Sequence, residues 1–99
     1  MAEFLVRIAL TRPPAMADES WQAVLVEEAQ VAASYRDDGV IHRIWRVPGA
    51  TANLGIWRAA DATELHARIS GLPAFPHMRV QVEALALHYL EQPAASRST

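Results

Sequence analysis

The spacing of apolar and polar residues divides the chain into strand-like and helix-like segments. The first segment, AEFLVRIAL at Ala2–Leu10, is short and apolar and is bounded by Thr-Arg-Pro-Pro, which predicts a strand. The prolines of the following stretch, Arg12–Ala17, indicate a loop. Apolar residues then recur with helical spacing from about Asp18 to Asp38, and Gly39 stands where glycine commonly ends a helix. The first part of the chain therefore predicts a strand followed by a long helix.

The middle of the chain predicts a hairpin. Val40–Val47 is a second segment with strand character, and Pro48-Gly49 after it is a turn signal. Ala52–Trp57 is the third predicted strand, and its closeness to the turn means that we expect it to pair with the second strand.

The remaining segments predict a second helix and a fourth strand. Either Asp61 or Thr63 can cap the helix, which ends near Gly71. Two prolines make Leu72–Met78, with the sequence LPAFPHM, an irregular connector. Arg79–His88, rich in Val, Leu and Ala, is the fourth predicted strand.

The element order β-α-β-β-α-β indicates an α+β fold. This order is that of the ferredoxin-like split βαβ arrangement, an antiparallel sheet with both helices on one face. At 99 residues we expect one domain, over residues 1–91. Residues 92–99, QPAASRST, are expected to form a flexible tail or to lie over a neighbouring subunit.

Composition narrows the classes of function. Hydrophobic residues make up 52% of this short chain, so we expect some apolar surface to be covered by another copy in a homo-oligomer. The formal net charge of -2 argues against a nucleic-acid or membrane-surface binder, because both favour clustered positive charge. There is no cysteine, and all nine basic residues are arginine, which excludes thiolate and lysine Schiff-base chemistry. No apolar run is long enough to cross a bilayer and no signal peptide is visible, so we expect a cytoplasmic protein.

Glu28 occupies an unexpected position in the first predicted helix. At about 100° per residue, Trp21 and Tyr35 lie within about 20° of Glu28, which places this carboxylate near the middle of the apolar stripe. Its neighbour Glu27 falls at the border with solvent. A carboxylate buried without partners has a raised pKa, which suits it to move protons near neutral pH. The alternative is a structural ion pair with an arginine of the strands.

The second and third predicted strands offer partners for such a carboxylate or for a ligand. In an alternating strand His42, Ile44 and Arg46 share one face and Arg43, Trp45 and Val47 share the other, and the sequence leaves open which face meets the helices. An arginine near Glu28 can bind a substrate carboxylate bidentately, or it can hold Glu28 in a salt bridge. Asn53 can donate to an oxygen that gains negative charge, or it can bond the backbone of the nearby turn.

The histidines do not predict a metal site. The spacings among the four, His42, His66, His77 and His88, include neither HxH nor HxxxH, and no acidic residue completes a ligand set. We therefore expect no metal site. His77 follows Phe75-Pro76 and is a candidate to line the mouth of a pocket, and His42 is a second candidate pocket residue.

Short motifs along nearly the whole chain resemble those of the muconolactone isomerases. They are IWR at Ile44–Arg46, then Gly49 and Asn53, then ELH at Glu64–His66 and LPAFPHM at Leu72–Met78. The resemblance implies a fold of the dimeric α+β barrel type and a homo-oligomer, decameric in the best-known members. It also implies a cofactor-free isomerase of the β-ketoadipate pathway of aromatic breakdown, which shifts the ring double bond of muconolactone to give the 3-oxoadipate enol-lactone.

The resemblance also implies roles for individual residues. Glu28 matches a glutamate of the family's first helix and would be the base, and Arg46 and Asn53 match an arginine and an asparagine of the family. We expect Arg46 to contact the substrate carboxylate or to orient the substrate, and Asn53 to donate to the enolate oxygen. The chain departs from the family at Leu25, where a lysine is usual, at Ala50-Thr51, and at His77, where tyrosine is usual. A missing cation beside Glu28 makes the carboxylate harder to ionise and the pocket less polar. The alternatives are another small-molecule enzyme of this fold, monooxygenase-like or dehalogenating, and a non-catalytic ligand-binding module.

Overall fold

The computed structural model describes residues 1–97 and contains the six elements in the expected order. Short 3-10 turns follow the second helix and the last strand. The strands and helices are β1 (Ala2–Leu10), α1 (Asp18–Asp37), β2 (Ile41–Arg46), β3 (Ala52–Ala59), α2 (Ala62–Ser70) and β4 (Met78–Leu85). The predicted α+β class and the ferredoxin-like order are therefore confirmed.

The four strands form one antiparallel sheet in the order β2-β3-β1-β4. Alternate residues of the central strand β1, namely Phe4, Val6 and Ile8, are buried on the face that the helices cover. Trp57 of β3 lies opposite Phe4 and meets the ring of Tyr35 from α1 edge to face, at 5.8 Å between ring centroids. The core therefore lies between the sheet and the two helices.

Helix α1 packs against the sheet through the apolar stripe that its periodicity predicts. Trp21 is buried, Glu28 and Tyr35 are half-buried, and Glu27 is exposed. The side chain of Asp61 caps α2, because its Oδ1 accepts from the backbone N–H of Glu64 at 2.8 Å. Of the two predicted caps, the structure thus selects Asp61.

A β-bulge in β2 breaks the alternation expected for that strand. Ile41 pairs with Trp57 and Arg43 pairs with Ile56, so His42 is an extra residue between two successive positions of β3. If β2 alternated strictly, Ile41 and Arg46 would lie on opposite faces of the sheet. The extra residue shifts the alternation by one position, so that both side chains lie on the helix-covered face. His42 itself is exposed.

The fourth strand is shorter than expected. It ends at Leu85 rather than His88, because Leu85 pairs with Glu3 and β1 begins only one residue earlier, at Ala2. Residues 86–97, here called the C-terminal arm, continue past the sheet and contain two 3-10 turns. Of the predicted tail, residues 98 and 99 lie outside the described part of the chain.

The C-terminal arm exposes apolar side chains. Leu87, Tyr89 and Leu90 are 73%, 60% and 53% exposed. The molecule measures 59 Å along its longest axis against 27 Å and 20 Å across. None of the helices within residues 1–97 has the length and apolar character needed to cross a membrane.

Candidate active site

A cavity of about 450 Å³ lies between α1 and the end of the sheet that carries the β2–β3 hairpin. Its walls come from α1 and all four strands, together with the residue before β3. The lining residues are Ile8, Leu10, Leu25, Glu28, Ala29, Ala32, Ile44, Trp45, Arg46, Thr51, Ala52, Asn53 and Met78. The cavity thus brings together Glu28, Arg46 and Asn53, three of the five site residues predicted from the sequence.

Glu28 is the acidic group of the cavity. Its carboxylate is half-buried, and Oε1 accepts a hydrogen bond from the backbone N–H of Ala74 at 2.9 Å. Burial raises the pKa of Glu28, and the hydrogen bond from Ala74 lowers it by less, so the net pKa is above the usual value of a glutamate. A raised pKa makes the ionised carboxylate a stronger base than that of an exposed glutamate.

No salt bridge holds Glu28. The two salt bridges found within residues 1–97 join Arg12 to Asp18 and Arg58 to Glu3. The structural ion pair considered from the sequence is therefore absent in the described part of the chain. No neighbouring cation therefore offsets the effect of burial on the pKa of Glu28.

Arg46 and Asn53 form the opposite wall. They are directly paired across β2 and β3, and Asn53 is paired on its other side with the buried Ile8 of β1. Because directly paired residues project to the same face of a sheet, both side chains lie on the face that meets the helices. The question of which face carries Arg46 is thus answered by the register.

The polar groups of that wall are unused by the protein. Arg46 is exposed and forms no salt bridge within residues 1–97. Asn53 is half-buried, and its Oδ1 is sealed from solvent with no hydrogen-bond partner in the described structure. The guanidinium of Arg46 is therefore available to an anionic group of a ligand, and Asn53 lines the same cavity.

The two histidines predicted as pocket residues lie elsewhere. His42 is the exposed extra residue of the bulge, and His77 packs edge to face against Trp21 at 5.6 Å between ring centroids. Neither lines the cavity, although Met78, next to His77, does. Within residues 1–97 no group of three potential metal ligands comes together.

Two contributions to the site involve backbone or apolar groups. Leu25 lies one helical turn before Glu28 and forms part of the apolar wall, so no positive charge of α1 faces the carboxylate. The Ala74 N–H was not foreseen as a partner of Glu28. The sequence marks Leu72–Met78 as irregular, but a main-chain donor has no residue-type signal that could have identified it.

The chain is similar in sequence to known proteins over most of its length. The family model described as muconolactone delta-isomerase matches residues 2–91. The muconolactone delta-isomerase of Cupriavidus pinatubonensis is 33% identical over 85 residues, which cover 86% of this chain and 92% of that protein. Muconolactone delta-isomerase 2 of Acinetobacter lwoffii is 31% identical, with coverage of 86% and 88%.

A solved structure extends the likeness to three dimensions. The crystal structure of muconolactone isomerase at 3.3 Å resolution superposes with a TM-score of 0.81 at 26% identity, and the match covers 87% of this chain and 90% of that one. The resemblance seen in the short motifs is thereby confirmed over most of the chain. The chain belongs to the muconolactone delta-isomerase family.

Proposed function

We propose that this protein is a cofactor-independent isomerase that shifts the ring double bond of muconolactone, or of a related lactone, to give 3-oxoadipate enol-lactone in aromatic catabolism. The observation that carries the proposal is the half-buried carboxylate of Glu28, which lines one cavity with Arg46 and Asn53. This carboxylate forms no salt bridge within residues 1–97. Membership of the muconolactone delta-isomerase family supplies the reaction class.

The chemistry needs one group that carries a proton between two ring carbons. The Glu28 carboxylate removes the proton from the ring carbon that bears the side chain, and the electron pair of the broken C–H bond passes through the double bond to the lactone carbonyl oxygen. The protonated Glu28 then returns the proton to the carbon beside the carbonyl, which forms the new C–H bond. A raised pKa makes the Glu28 carboxylate a stronger base than an exposed glutamate, which favours the first step.

Arg46 and Asn53 supply the binding interactions in this proposal. The Arg46 guanidinium binds the side-chain carboxylate of the lactone, with a planar fork that matches the two carboxylate oxygens. The amide nitrogen of Asn53 donates to the lactone oxygen that gains charge when the proton leaves. Their direct pairing across two strands fixes the distance between the two binding groups.

Leu25 favours a related lactone as a second candidate substrate. Its side chain adds an apolar surface beside Glu28, in a wall that also includes Ile8, Leu10 and Met78. A lactone with an apolar substituent on the ring buries more surface there than the unsubstituted ring does. Comparing kcat/KM for muconolactone with that for alkyl-substituted analogues tests this candidate.

The C-terminal arm supports assembly into a homo-oligomer. Its side chains Leu87, Tyr89 and Leu90 are more than half exposed in the single subunit, and a second copy is the partner that a homo-oligomer supplies. The resemblance implies ten subunits, and sedimentation equilibrium would measure their number.

A matched pair of glutamate variants tests the proposed reaction. Glu28→Gln should lower kcat for muconolactone roughly 100- to 10,000-fold because it removes the base. The adjacent Glu27 is exposed on the same helix, so Glu27→Gln should leave the rate unchanged. Conversion is followed by ultraviolet absorbance and chromatography, with circular dichroism to show that each variant folds. Equal rates for wild-type protein and folded Glu28→Gln contradict the assignment of the base, and no conversion by folded wild-type protein contradicts the assignment of the substrate.

A further inference from the structure

The connector between α2 and β4 reaches the carboxylate of Glu28 with a main-chain group. Ala74 is fully buried, at 0% exposed, and its N–H donates to Oε1 of Glu28 over 2.9 Å. The two residues are 46 positions apart in the chain, so this contact joins α1 to a segment of the opposite half of the fold. Within the described residues, it is the hydrogen bond that the Glu28 side chain accepts.

The donor is held by a rigid stretch of backbone. The Phe75 N–H bonds to the Leu72 carbonyl at 3.0 Å and the His77 N–H to the Ala74 carbonyl at 2.9 Å, which gives two successive turns around Ala74. Pro73 and Pro76 restrict φ within these turns. A further bond, from the Thr11 N–H to the His77 carbonyl at 2.9 Å, ties the connector to the segment after β1.

The other carboxylate oxygen is left for a ligand. Oε2 of Glu28 has no hydrogen-bond partner in residues 1–97, and the side chain lines the cavity. A glutamate side chain has three rotatable torsions, so a carboxylate without a fixed contact samples many orientations. A bond at one oxygen reduces this freedom and aims the other oxygen.

We propose that the Ala74 N–H is the positioning group of the proton-transfer site, holding Oε1 of Glu28 so that Oε2 faces the ring carbon. This inference rests on the proposed function for the identity of the substrate. The contact also favours the ionised carboxylate, because an N–H donor stabilises negative charge. The connector therefore partly offsets the effect of burial and keeps Glu28 able to accept a proton.

Few other charged groups lie near Glu28 that could change its titration. Arg46 of β2 is the other charged residue in the cavity walls, and the lining residues from α1, β1, β3 and β4 are otherwise neutral. On the connector itself, His77 is the titratable residue, and its ring packs against Trp21. A change in the titration of Glu28 after loss of the Ala74 N–H is therefore attributable to that bond.

An amide-to-ester replacement tests the inference. Lactic acid in place of Ala74 removes the N–H and keeps the side chain. Phenyllactic acid in place of Phe75 is the matched control, since it perturbs the turn bonds of the same connector and keeps the Ala74 N–H. The readouts are the pH titration of the ¹³C-labelled Glu28 carboxyl by NMR, assigned with Glu28→Gln, and the kinetics with muconolactone. The ester at 74 should move the Glu28 midpoint to higher pH and lower kcat roughly tenfold or more, with a smaller effect on KM. The ester at 75 should leave the midpoint in place.

A measurement on the unsubstituted protein covers the case in which the ester at 74 does not fold. The amide proton of Ala74 should change its chemical shift with pH at the midpoint of Glu28, and this change should vanish in Glu28→Gln. An Ala74 shift independent of the Glu28 titration overturns the inference, as does an unchanged midpoint in a folded ester at 74. Absence of turnover by the unsubstituted protein contradicts the proposed reaction instead, so the two failures are distinguishable.

Discussion

Arg46 and Asn53 lie directly opposite each other on β2 and β3, and both face the helix that carries Glu28. This relationship depends on the β-bulge at His42, which restores Arg46 to the helix-covered face. The hairpin thus places the Arg46 guanidinium and the Asn53 amide side by side. The Glu28 carboxylate, which forms no salt bridge within residues 1–97, lines the same cavity. In the proposed reaction of an anionic lactone these three groups serve for binding, for stabilisation of the enolate, and for proton transfer.

Removal of the Arg46 guanidinium should weaken substrate binding. We expect Arg46→Ala to raise KM roughly 10- to 100-fold, because a hydrogen bond to a charged group contributes about 1.5–3 kcal/mol. Arg79→Ala is the matched control, because Arg79 is an exposed arginine of β4 that does not line the cavity. Steady-state kinetics on both variants measure the difference. Equal KM values for the two would remove Arg46 from the binding site.

The pH dependence of kcat/KM should report the state of Glu28. Burial raises the pKa of Glu28, so as the pH falls the carboxylate is protonated earlier than an exposed glutamate, and activity should be lost on an acid limb above the usual carboxylate range. Leu25→Lys places a positive charge one helical turn away, which favours the ionised form and should move this limb to lower pH.

The neutral variant Leu25→Met serves as the control for that charge. It should leave the acid limb where it is in the wild-type protein, because it changes shape without adding a charge. An acid limb that stays unchanged in Leu25→Lys would show that the limb belongs to a group other than Glu28.

Gly55 should be essential for close packing of the hairpin. A Cβ built on Gly55 lies 2.9 Å from the Arg43 carbonyl oxygen and 3.3 Å from Nε1 of the buried Trp57. Gly55→Ala should therefore cost about 1–3 kcal/mol of unfolding free energy, since neither the backbone nor the packed indole can move freely. Urea denaturation measures this loss. Gly71→Ala, whose Cβ meets neighbours only from 3.2 Å, should be less destabilising, and the reverse order would contradict the packing argument.

The C-terminal arm should contribute to assembly. Leu87→Ser and Leu90→Ser together remove two exposed apolar side chains, which have no role in the core of their own subunit. We expect a smaller particle by sedimentation and an unchanged circular dichroism spectrum, because the fold does not depend on these side chains. Arg97→Ala is a control on the same arm, and it should leave the particle size unchanged. An unaltered particle in the double variant would exclude these leucines from the interface.

The sequence by itself determined the local structure of this protein and the position of its carboxylate. Local interactions set the helical and strand periods, the turn at Pro48-Gly49 and the end of the first helix at a glycine. These patterns therefore predict the element order β-α-β-β-α-β without any information on contacts between distant segments. The same period places Glu28 on the packed stripe of α1. The motifs from Ile44 to Met78 were sufficient to identify the family.

Only the tertiary structure decided how the surrounding groups meet that carboxylate. The face of Arg46 depends on a bulge, which is a property of the pairing of β2 with β3 and not of β2 alone. The partner of Glu28 is a main-chain N–H from the connector at Ala74, and every non-proline residue carries the same donor, so the sequence does not distinguish it. The end of β4 at Leu85 is likewise set by where β1 begins. Contacts between distant segments determine the face of Arg46, the partner of Glu28 and the end of β4. Local residue patterns set the period of a segment but not its register against another segment.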